Sequence, residues 1–293
     1  MFIQTRRNLS KKKALQPIYR MLRPTYYKYV KKRPWINYDR LEVIERSPYQ
    51  NIYYCCTQRT GSQWFKKILR DPAFYQYTGL KVYHYGELGL KQAKFDGPLP
   101  EGAVGTHLYI GYPTYLSIPK PANYRTFFIL RDPRDISVSW YFAARYSHGA
   151  LDPIPRLRKD LKNLSLQDGL KYSIDSLEEF GLFWAQRTWM DLKEDRDRIK
   201  IFRYEDFSRD NRGFLEDLLN YMSVTMPDEE FAALYERHAF RQITGGRAAG
   251  VEDQHDHYRK GVSGDWRNYF DPSLQAYFRQ VTGDLLDVLG YAD

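Results

Sequence analysis

The chain has 293 residues, enough for one α/β domain with a sizeable buried core. It has no apolar run of about 18 residues and no apolar core of a secretory signal at its N-terminus, so neither a membrane anchor nor export is expected. Its only cysteines, Cys55 and Cys56, are adjacent. This excludes a disulfide framework and predicts two small apolar residues in a reducing, cytoplasmic protein.

The net charge of +9 originates in the N-terminal segment. Residues 1–38 hold eleven Lys or Arg and no acidic residue; without those eleven, 34 basic residues face all 36 acidic ones. Pro17, Pro24 and Pro34 prevent a long amphipathic helix there. We interpret residues 1–38 as a basic aromatic arm. It is either a contact for an anionic partner, with a peripheral membrane surface as the leading functional interpretation, or a solvated extension that packs its aromatic side chains on the domain.

Residues 39–293 alternate between predicted strands and helices. Apolar runs at 51–56, 126–130 and 199–202 predict strands. Helical patterns occupy residues 64–70, a stretch ending at Arg145, and residues 177–192, 213–222, 228–237 and 272–289. This alternation predicts a P-loop-like, doubly wound parallel sheet flanked by helices in a single α/β domain, with ligands at the carboxyl ends of the strands. The polar, Gly-rich residues 241–264 predict a mobile cover loop, with an ordinary surface connection as the alternative.

Three separate segments carry anion-binding groups. Residues 57–64, TQRTGSQW, follow the first predicted strand and open a helix, so their amides would point at a bound phosphate. Residues 131–139, RDPRDISVS, repeat that layout after a second strand. Residues 259–270, RKGVSGDWRNYF, form a basic loop punctuated by glycine. Together they predict a site for a polyphosphorylated nucleotide.

In this order the three segments resemble the nucleotide-binding elements of sulfotransferases that use 3′-phosphoadenosine 5′-phosphosulfate (PAPS), most closely the cytosolic type. The resemblance covers residues 52–270, and residues 259–270 meet every fixed position of the family's RKGxxGDWxNxF pattern. It implies that the first segment binds the 5′-phosphosulfate, the second binds the 3′-phosphate and the third closes over the nucleotide. PAPS would be the co-substrate, adenosine 3′,5′-bisphosphate (PAP) the product, and no metal is expected.

The same resemblance implies two catalytic residues. Arg59 stands where the family usually has a lysine that contacts the leaving-group bridge; its guanidinium supplies the charge, although with a planar fork. His107, in GTHLYIG, stands in the family's Thr-His-Leu context and is the predicted base for the acceptor proton. Gly105 replaces the lysine commonly found two residues before that histidine, which leaves the second catalytic cation unassigned.

The implied nucleotide ligands come from all three segments. Arg131 and Ser139 are about two helical turns apart and would converge on the 3′-phosphate. Trp64 and Phe240 match positions that stack on adenine, and Tyr204 would supply a polar contact to the base. The full set of predicted nucleotide-binding residues is Arg59, Thr60, Gly61, Ser62, Gln63, Trp64, Arg131, Ser139, Tyr204, Phe240, Arg259, Lys260 and Gly261.

Other residues permit more than one interpretation. Six aromatic residues either line an acceptor pocket or fill a core: Tyr83, His84, Tyr109, Tyr112, Tyr141 and Phe142. His255 and His257 have a His-x-His metal spacing without a further ligand set, so we interpret them as part of a solvated loop. Trp266 is the expected anchor of the closing loop, and Arg134 is expected to be a surface partner of a nearby aspartate.

The sequence therefore predicts an enzyme that moves a sulfuryl group from PAPS to a hydroxyl or amine of a small-molecule or lipid acceptor. One alternative is a P-loop-type small-molecule kinase, against which the absence of a GxxxxGK[ST] string weighs. A non-enzymatic module that binds membranes or nucleic acid is the other, although nucleic acid is not an expected partner of the enzyme. The oligomeric state stays open, because the residues after Asn268 lack the dimerisation motif of many cytosolic relatives.

Overall fold

A computed structural model describes residues 36–84, 98–149 and 153–291. The chain forms two compact units, Met1–Glu42 and Val43–Asp293. The described part of the first unit includes a 3₁₀ turn at Tyr38–Arg40. Most of the predicted basic arm, residues 1–35, lies outside the described residues.

The second unit is built on a five-stranded sheet whose strands are β1 (Asn51–Cys56), β2 (Lys81–His84), β3 (Ala103–Tyr109), β4 (Tyr124–Leu130) and β5 (Ile199–Arg203). All pairings are parallel, and the strand order is β2-β3-β1-β4-β5. The predicted doubly wound parallel sheet is thus confirmed. The connection that leaves β1 runs toward β2, on one side of the sheet order, and the connection that leaves β4 runs toward β5, on the other side. Because β1 and β4 are neighbouring strands, the two connections diverge between them. The loops after β1 and β4 therefore flank a crevice at the carboxyl edge of the sheet.

Helices surround the sheet. They are α1 (Ser62–Leu69), α2 (Pro72–Gln76), α3 (Tyr112–Leu116), α4 (Pro133–Phe142), α5 (Ile154–Leu161), α6 (Leu166–Glu179), α7 (Leu182–Thr188), α8 (Tyr204–Arg209), α9 (Asn211–Tyr221), α10 (Asp228–His238), α11 (Phe240–Thr244), α12 (Pro272–Thr282) and α13 (Leu285–Leu289). A π-helical turn, Ala143–Ser147, continues α4, and a 3₁₀ turn at Arg196–Arg198 precedes β5. A further 3₁₀ turn spans Asp265–Asn268.

Two predicted helices are each broken into two. The helix predicted over residues 177–192 is interrupted at Gly181, where φ is 77°, and the one predicted over residues 272–289 is interrupted at Gly283, where φ is 64°. Positive φ is readily adopted by glycine and ends a right-handed helix. Helix α8, which starts at Tyr204 directly after β5, was not among the predicted helices.

The core lies on both faces of the sheet. Every residue of β1 is buried, and alternate side chains join different hydrophobic clusters. Tyr53 and Cys55 pack on one face, whereas Ile52, Tyr54 and Cys56 pack on the other. This two-sided burial is typical of parallel strands covered by helices. It also confirms that both cysteines pack as small apolar residues.

Helix α4 is buried along its whole length and positions the third anion-binding segment. Arg134 is only 2% exposed: it pairs with Asp132 at 2.9 Å and lies 3.6 Å from the ring centre of Trp266. The expectation that Arg134 lies at the surface was therefore wrong, because helix α4 is covered on all sides. Its buried charge needs a buried partner, and Asp132 supplies it. Asp135 accepts hydrogen bonds from the backbone of Gly264 at 2.6 Å and of Trp266 at 2.8 Å. These contacts confirm Trp266 as an anchor.

Within the described residues, the helices are all too short or too polar to span a bilayer.

Candidate active site

A cavity of about 510 Å³ lies at the carboxyl edge of the sheet and includes the loops after β1 and β4 in its wall. All three anion-binding segments contribute to that wall, together with helices α1, α8 and α11. Every predicted site residue lines the cavity except Thr60 and His107. The structure therefore brings together side chains that are up to about 200 positions apart in the sequence.

The loop after β1 turns sharply into helix α1. Both Arg59, with φ 66°, and Gly61, with φ 80°, have left-handed backbone conformations. Thr60 is buried inside the turn, and its hydroxyl donates to the carbonyl oxygen of Thr57 at 2.8 Å. An arginine with a left-handed backbone conformation is uncommon, and this conformation needs support from the surrounding structure. The loop exposes Arg59 and the start of α1 to the cavity, while Thr60 holds the turn from within.

Two arginines from different segments are neighbours in the cavity wall. Arg59 Nε donates to the hydroxyl of Ser139 at 2.9 Å, and Arg131 Nη1 donates to the carbonyl oxygen of Arg59 at 2.7 Å. Burial and then the charge of Arg131 lower the pKa of Arg59 to about 10, which leaves its guanidinium charged at neutral pH. The Nε of Arg131 is buried and has no hydrogen-bond partner among the described residues. An unpaired buried donor beside a second cation favours an anionic ligand.

Arg131 also has neighbours that restrict its orientation. Its guanidinium lies 4.1 Å from the ring centre of Tyr204, and Asp135 approaches it at 3.8 Å. Both Arg131 and Asp135 are buried. The pairing with Asp135 is longer than a direct charged hydrogen bond, so it holds the arginine in place without occupying all of its donors.

The third segment brings two more cations to the cavity, but both are already paired. Arg259 donates to the carboxylates of Glu252 and Asp265, and Lys260 donates to Asp265. The Arg259 guanidinium also lies 4.5 Å from the ring centre of Phe142. A phosphate at this position would therefore share or displace carboxylate partners.

Aromatic side chains line the cavity beside these cations. Trp64 is only 3% exposed, and its indole Nε1 donates to the backbone carbonyl of His238 at 2.8 Å. Tyr204 is also buried, so these two rings belong to the core and reach the cavity with part of their surface. Phe240 lies directly over the backbone of Gly261, where an added Cβ would stand 2.3 Å from its ring. Gly261, with φ 71°, thus permits a close approach that no other residue would allow.

His107 differs from the other predicted residues. It is 7% exposed, does not line the cavity and has φ 23°. It lies where the register of β3 against β1 shifts between Tyr53 and Cys55. Its ring packs edge-on against Tyr109, with ring centres 5.1 Å apart. The catalytic role of His107 therefore stays a prediction that depends on its sequence context.

One wall residue, Tyr109, was among the six aromatic candidates for an acceptor pocket, and its hydroxyl lies 2.8 Å from that of Ser62. Several other wall residues were not identified from the sequence. His148 and His257 also line the cavity, although His257 was interpreted only as part of a solvated loop. An apolar part of the wall comes from Trp140, Ile154 and Phe180. The sequence held no signal for these side chains, because they converge from separate helices and loops.

The remaining acceptor candidates lie elsewhere. Tyr112, Tyr141 and Phe142 are buried in the core, and Tyr83 is 38% exposed. The side chain of His84 lies outside the described residues. Over the described part of the chain, no group of three or more His, Cys, Asp or Glu side chains is arranged to hold a metal ion.

The predicted cover loop is tied to the third segment by hydrogen bonds. Arg247 Nη1 donates to the carbonyl oxygens of Val251 and Arg259, both at 2.7 Å. The Gly250 amide donates to the carbonyl oxygen of Lys260 at 2.8 Å. The loop thus lies beside the predicted phosphate ligands, and its mobility stays a prediction.

The sheet order, the loop after β1 and the clustered cations are typical of α/β proteins that bind nucleotides. A model of the sulfotransferase domain family matches residues 104–290. This match covers more than half of the chain, which therefore belongs to that family.

Individual relatives are distant. The chain is 22% identical to human sulfotransferase 2A1 over 155 residues, which is 50% of each protein. It is 23% identical to dog sulfotransferase 1A1 over 271 residues, covering 83% of this chain and 87% of that protein. The chain thus spans about half the length of the human relative. Among solved structures, mouse sulfotransferase SULT7A1 complexed with PAP aligns with a TM-score of 0.55 and 16% identity, over 85% of this chain and 91% of that chain. This last similarity concerns the fold.

Proposed function

We propose that this protein transfers a sulfuryl group from PAPS to a hydroxyl or amine of a small-molecule or lipid acceptor and releases PAP. The observation that carries this proposal is the convergence of the predicted phosphate ligands, from three distant segments, on one cavity. The volume of about 510 Å³ is in the range of small-molecule sites.

The wall offers partners for each part of the nucleotide. The loop amides of residues 59–63 and the start of α1 would hold the 5′-phosphosulfate. Arg131, with its unpaired Nε, and Ser139 would hold the 3′-phosphate together with the backbone and cations of residues 259–261. Phe240, Trp64 and Tyr204 would contact adenine. The wall thus combines hydrogen-bond donors with aromatic surfaces, as a nucleotide site requires.

Arg59 is the proposed stabiliser of the charge that develops on the transferring group. Its side chain is held by Ser139, and its partial burial strengthens its electrostatic effect on a nearby anion. His107 is the base that the family resemblance implies. The acceptor would lie against the apolar surface formed by Trp140, Ile154 and Phe180.

Three further predictions stay open to experiment. We retain residues 1–38 as a separate arm, 39–293 as the sulfotransferase domain and 241–264 as a cover loop. A cytoplasmic location and a peripheral membrane contact through the arm also stay predictions. Vesicle binding by the full chain, compared with a variant whose basic residues in the arm are replaced by glutamine, would test the membrane contact.

Calorimetric titration would test the proposed donor site. PAP should bind more tightly than adenosine 5′-phosphate or magnesium-ATP, because both of these lack the 3′-phosphate. Arg131→Ala should weaken PAP binding by about 10- to 100-fold, the value of one or two charge-assisted hydrogen bonds. It should weaken adenosine 5′-phosphate binding far less, through the lost contact with the Arg59 carbonyl oxygen. The control is Arg241→Ala, which removes an exposed arginine outside the cavity.

A preference for magnesium-ATP would favour the kinase alternative. Absence of nucleotide binding would favour a non-enzymatic module. Either result would overturn the proposed function.

A further inference from the structure

Glu205 contacts the segment that carries the proposed 3′-phosphate ligand, although it belongs to none of the three anion-binding segments. It is the second residue of helix α8, which begins directly after β5. Its Oε1 accepts a hydrogen bond from the backbone N–H of Asp132 at 3.0 Å. Asp132 is the N-cap of α4 and directly follows Arg131. The carboxylate therefore joins the exits of two neighbouring strands, β4 and β5, at the point where Arg131 leaves the sheet.

The other oxygen of Glu205 is held by Tyr291, which follows helix α13. The Tyr291 hydroxyl donates to Glu205 Oε2 at 2.8 Å. Tyr291 is itself fixed, because its amide donates to the carbonyl oxygen of Leu286 at 2.8 Å and its ring centre lies 4.7 Å from the guanidinium carbon of Arg203. Burial raises the pKa of Glu205, and the hydrogen bonds from Asp132 and Tyr291 offset part of this rise. Both oxygens thus have the donors that a partly buried carboxylate requires.

The peptide group between Arg131 and Asp132 is held at both of its polar atoms. Its N–H donates to Glu205, and its carbonyl oxygen accepts a hydrogen bond from Nε2 of Gln186 at 2.8 Å. Gln186 lies on α7 and is fully buried. Because a peptide group is planar and has one donor and one acceptor, these two contacts fix its orientation. They thereby fix the direction in which the Arg131 side chain leaves the backbone.

We propose that Glu205 is a positioning residue for Arg131 and that Tyr291 acts through it. This inference rests on the proposed function. With its peptide group held, Arg131 meets the 3′-phosphate without reorganising on binding. Neither Glu205 nor Tyr291 lines the cavity, so their effect on nucleotide affinity passes through the arginine. It is therefore confined to nucleotides that carry a 3′-phosphate.

Calorimetric titration of the full chain with PAP and with adenosine 5′-phosphate tests this inference. The ratio of the two affinities, the PAP preference, measures the contribution of the 3′-phosphate. Glu205→Ala removes the contact with Asp132, whereas Glu205→Gln keeps an oxygen that can accept it. Tyr291→Phe removes the hydroxyl that holds the carboxylate. The matched control is Tyr277→Phe, which removes a hydroxyl that donates to Asp175 at 2.7 Å, outside the cavity.

Glu205→Ala should lower the PAP preference by about 10-fold, the value of one net hydrogen bond, and Tyr291→Phe should lower it by about 2- to 5-fold. Glu205→Gln and Tyr277→Phe should keep it within about twofold of wild type. In the Arg131→Ala background, Glu205→Ala should change the preference by less than about twofold, because the arginine that it positions is absent. A purely structural role would weaken both nucleotides alike and leave the preference unchanged.

An unchanged PAP preference in Glu205→Ala would overturn the inference, as would a loss in Glu205→Gln as large as in Glu205→Ala, or losses that add fully to those of Arg131→Ala. If urea unfolding shows that Glu205→Ala does not fold, the comparison of Tyr291→Phe with Tyr277→Phe decides, and equal preferences in these two would overturn it. A wild-type protein without a PAP preference would instead overturn the proposed function. The two failures are therefore distinguishable.

Discussion

Gly261→Ala is the sharpest test of how the third segment forms the proposed nucleotide site. The glycine has φ 71°, and a Cβ at this position would stand 2.3 Å from the Phe240 ring. Ordinary carbon contacts begin near 3.4 Å, so the ring or the loop would have to move by about 1 Å. The substitution therefore combines backbone strain with displacement of the proposed adenine contact.

Gly245→Ala separates these two effects. Gly245 has φ 76°, nearly the same as Gly261, but no heavy atom lies within 4 Å of its would-be Cβ. Positive φ costs an L-residue about 1–2 kcal/mol, so both variants should lose this much free energy of unfolding. Only Gly261→Ala should also weaken PAP, by the roughly 0.5–1.5 kcal/mol of an aromatic stack or about 2- to 10-fold in affinity.

Calorimetry with PAP and urea unfolding provide the two measurements. Phe240→Ala should weaken PAP by a similar factor, and adding Gly261→Ala to it should cost little more, since the displaced ring is already absent. Equal PAP affinity in Gly261→Ala and Gly245→Ala would refute the reasoning. Independent, additive losses in the double variant would also refute it.

Three other expectations follow from buried charges and thiols. Burial raises the pKa of Asp71, but hydrogen bonds from the histidine and arginine of α10 outweigh it and lower the pKa from 3.8 to about 2. The resulting stabilisation, on the order of 2 kcal/mol, is complete above the unfolded value and lost as the pH falls through about 2. Asp71→Asn should remove this pH dependence in urea unfolding measured from pH 2 to 5, and a variant that kept it would contradict the assignment. Glu252→Gln should tighten PAP by about 2- to 10-fold in calorimetry, because a carboxylate no longer competes for Arg259; weaker binding would mean that Glu252 orients the arginine instead. Burial raises the pKa of both Cys55 and Cys56, the latter to about 12, so iodoacetamide at pH 8 should label neither thiol until the protein unfolds, as mass spectrometry would report.

Local sequence predicted the parts of the site whose function resides in short segments. A phosphate-binding loop uses consecutive amides at the start of a helix, so residues 57–64 could be predicted to be such a loop from one stretch of chain, and they do open helix α1 at the cavity. The strands at residues 51–56 and 126–130 were likewise predicted, because burial on both faces requires nearly continuous apolar runs. The strand at residues 199–202 was predicted from a shorter apolar run and is only partly buried. With their intervening helices these strands were enough to predict a parallel sheet.

The details of the cavity wall depend on packing between distant segments. Contacts such as Arg59 with Ser139, or Arg259 with Glu252, join side chains whose separation is set by the folded backbone. The burial of Arg134 likewise follows from the cover around α4, and His148 enters the wall because Arg158 holds the end of the π-helical turn. Sequence alone thus determined the family, the parallel sheet and the loops that line the cavity, because these depend on local pattern. Tertiary structure decided which imidazole faces the cavity and which cations are already paired, because both depend on distances between parts of the chain that are far apart in sequence.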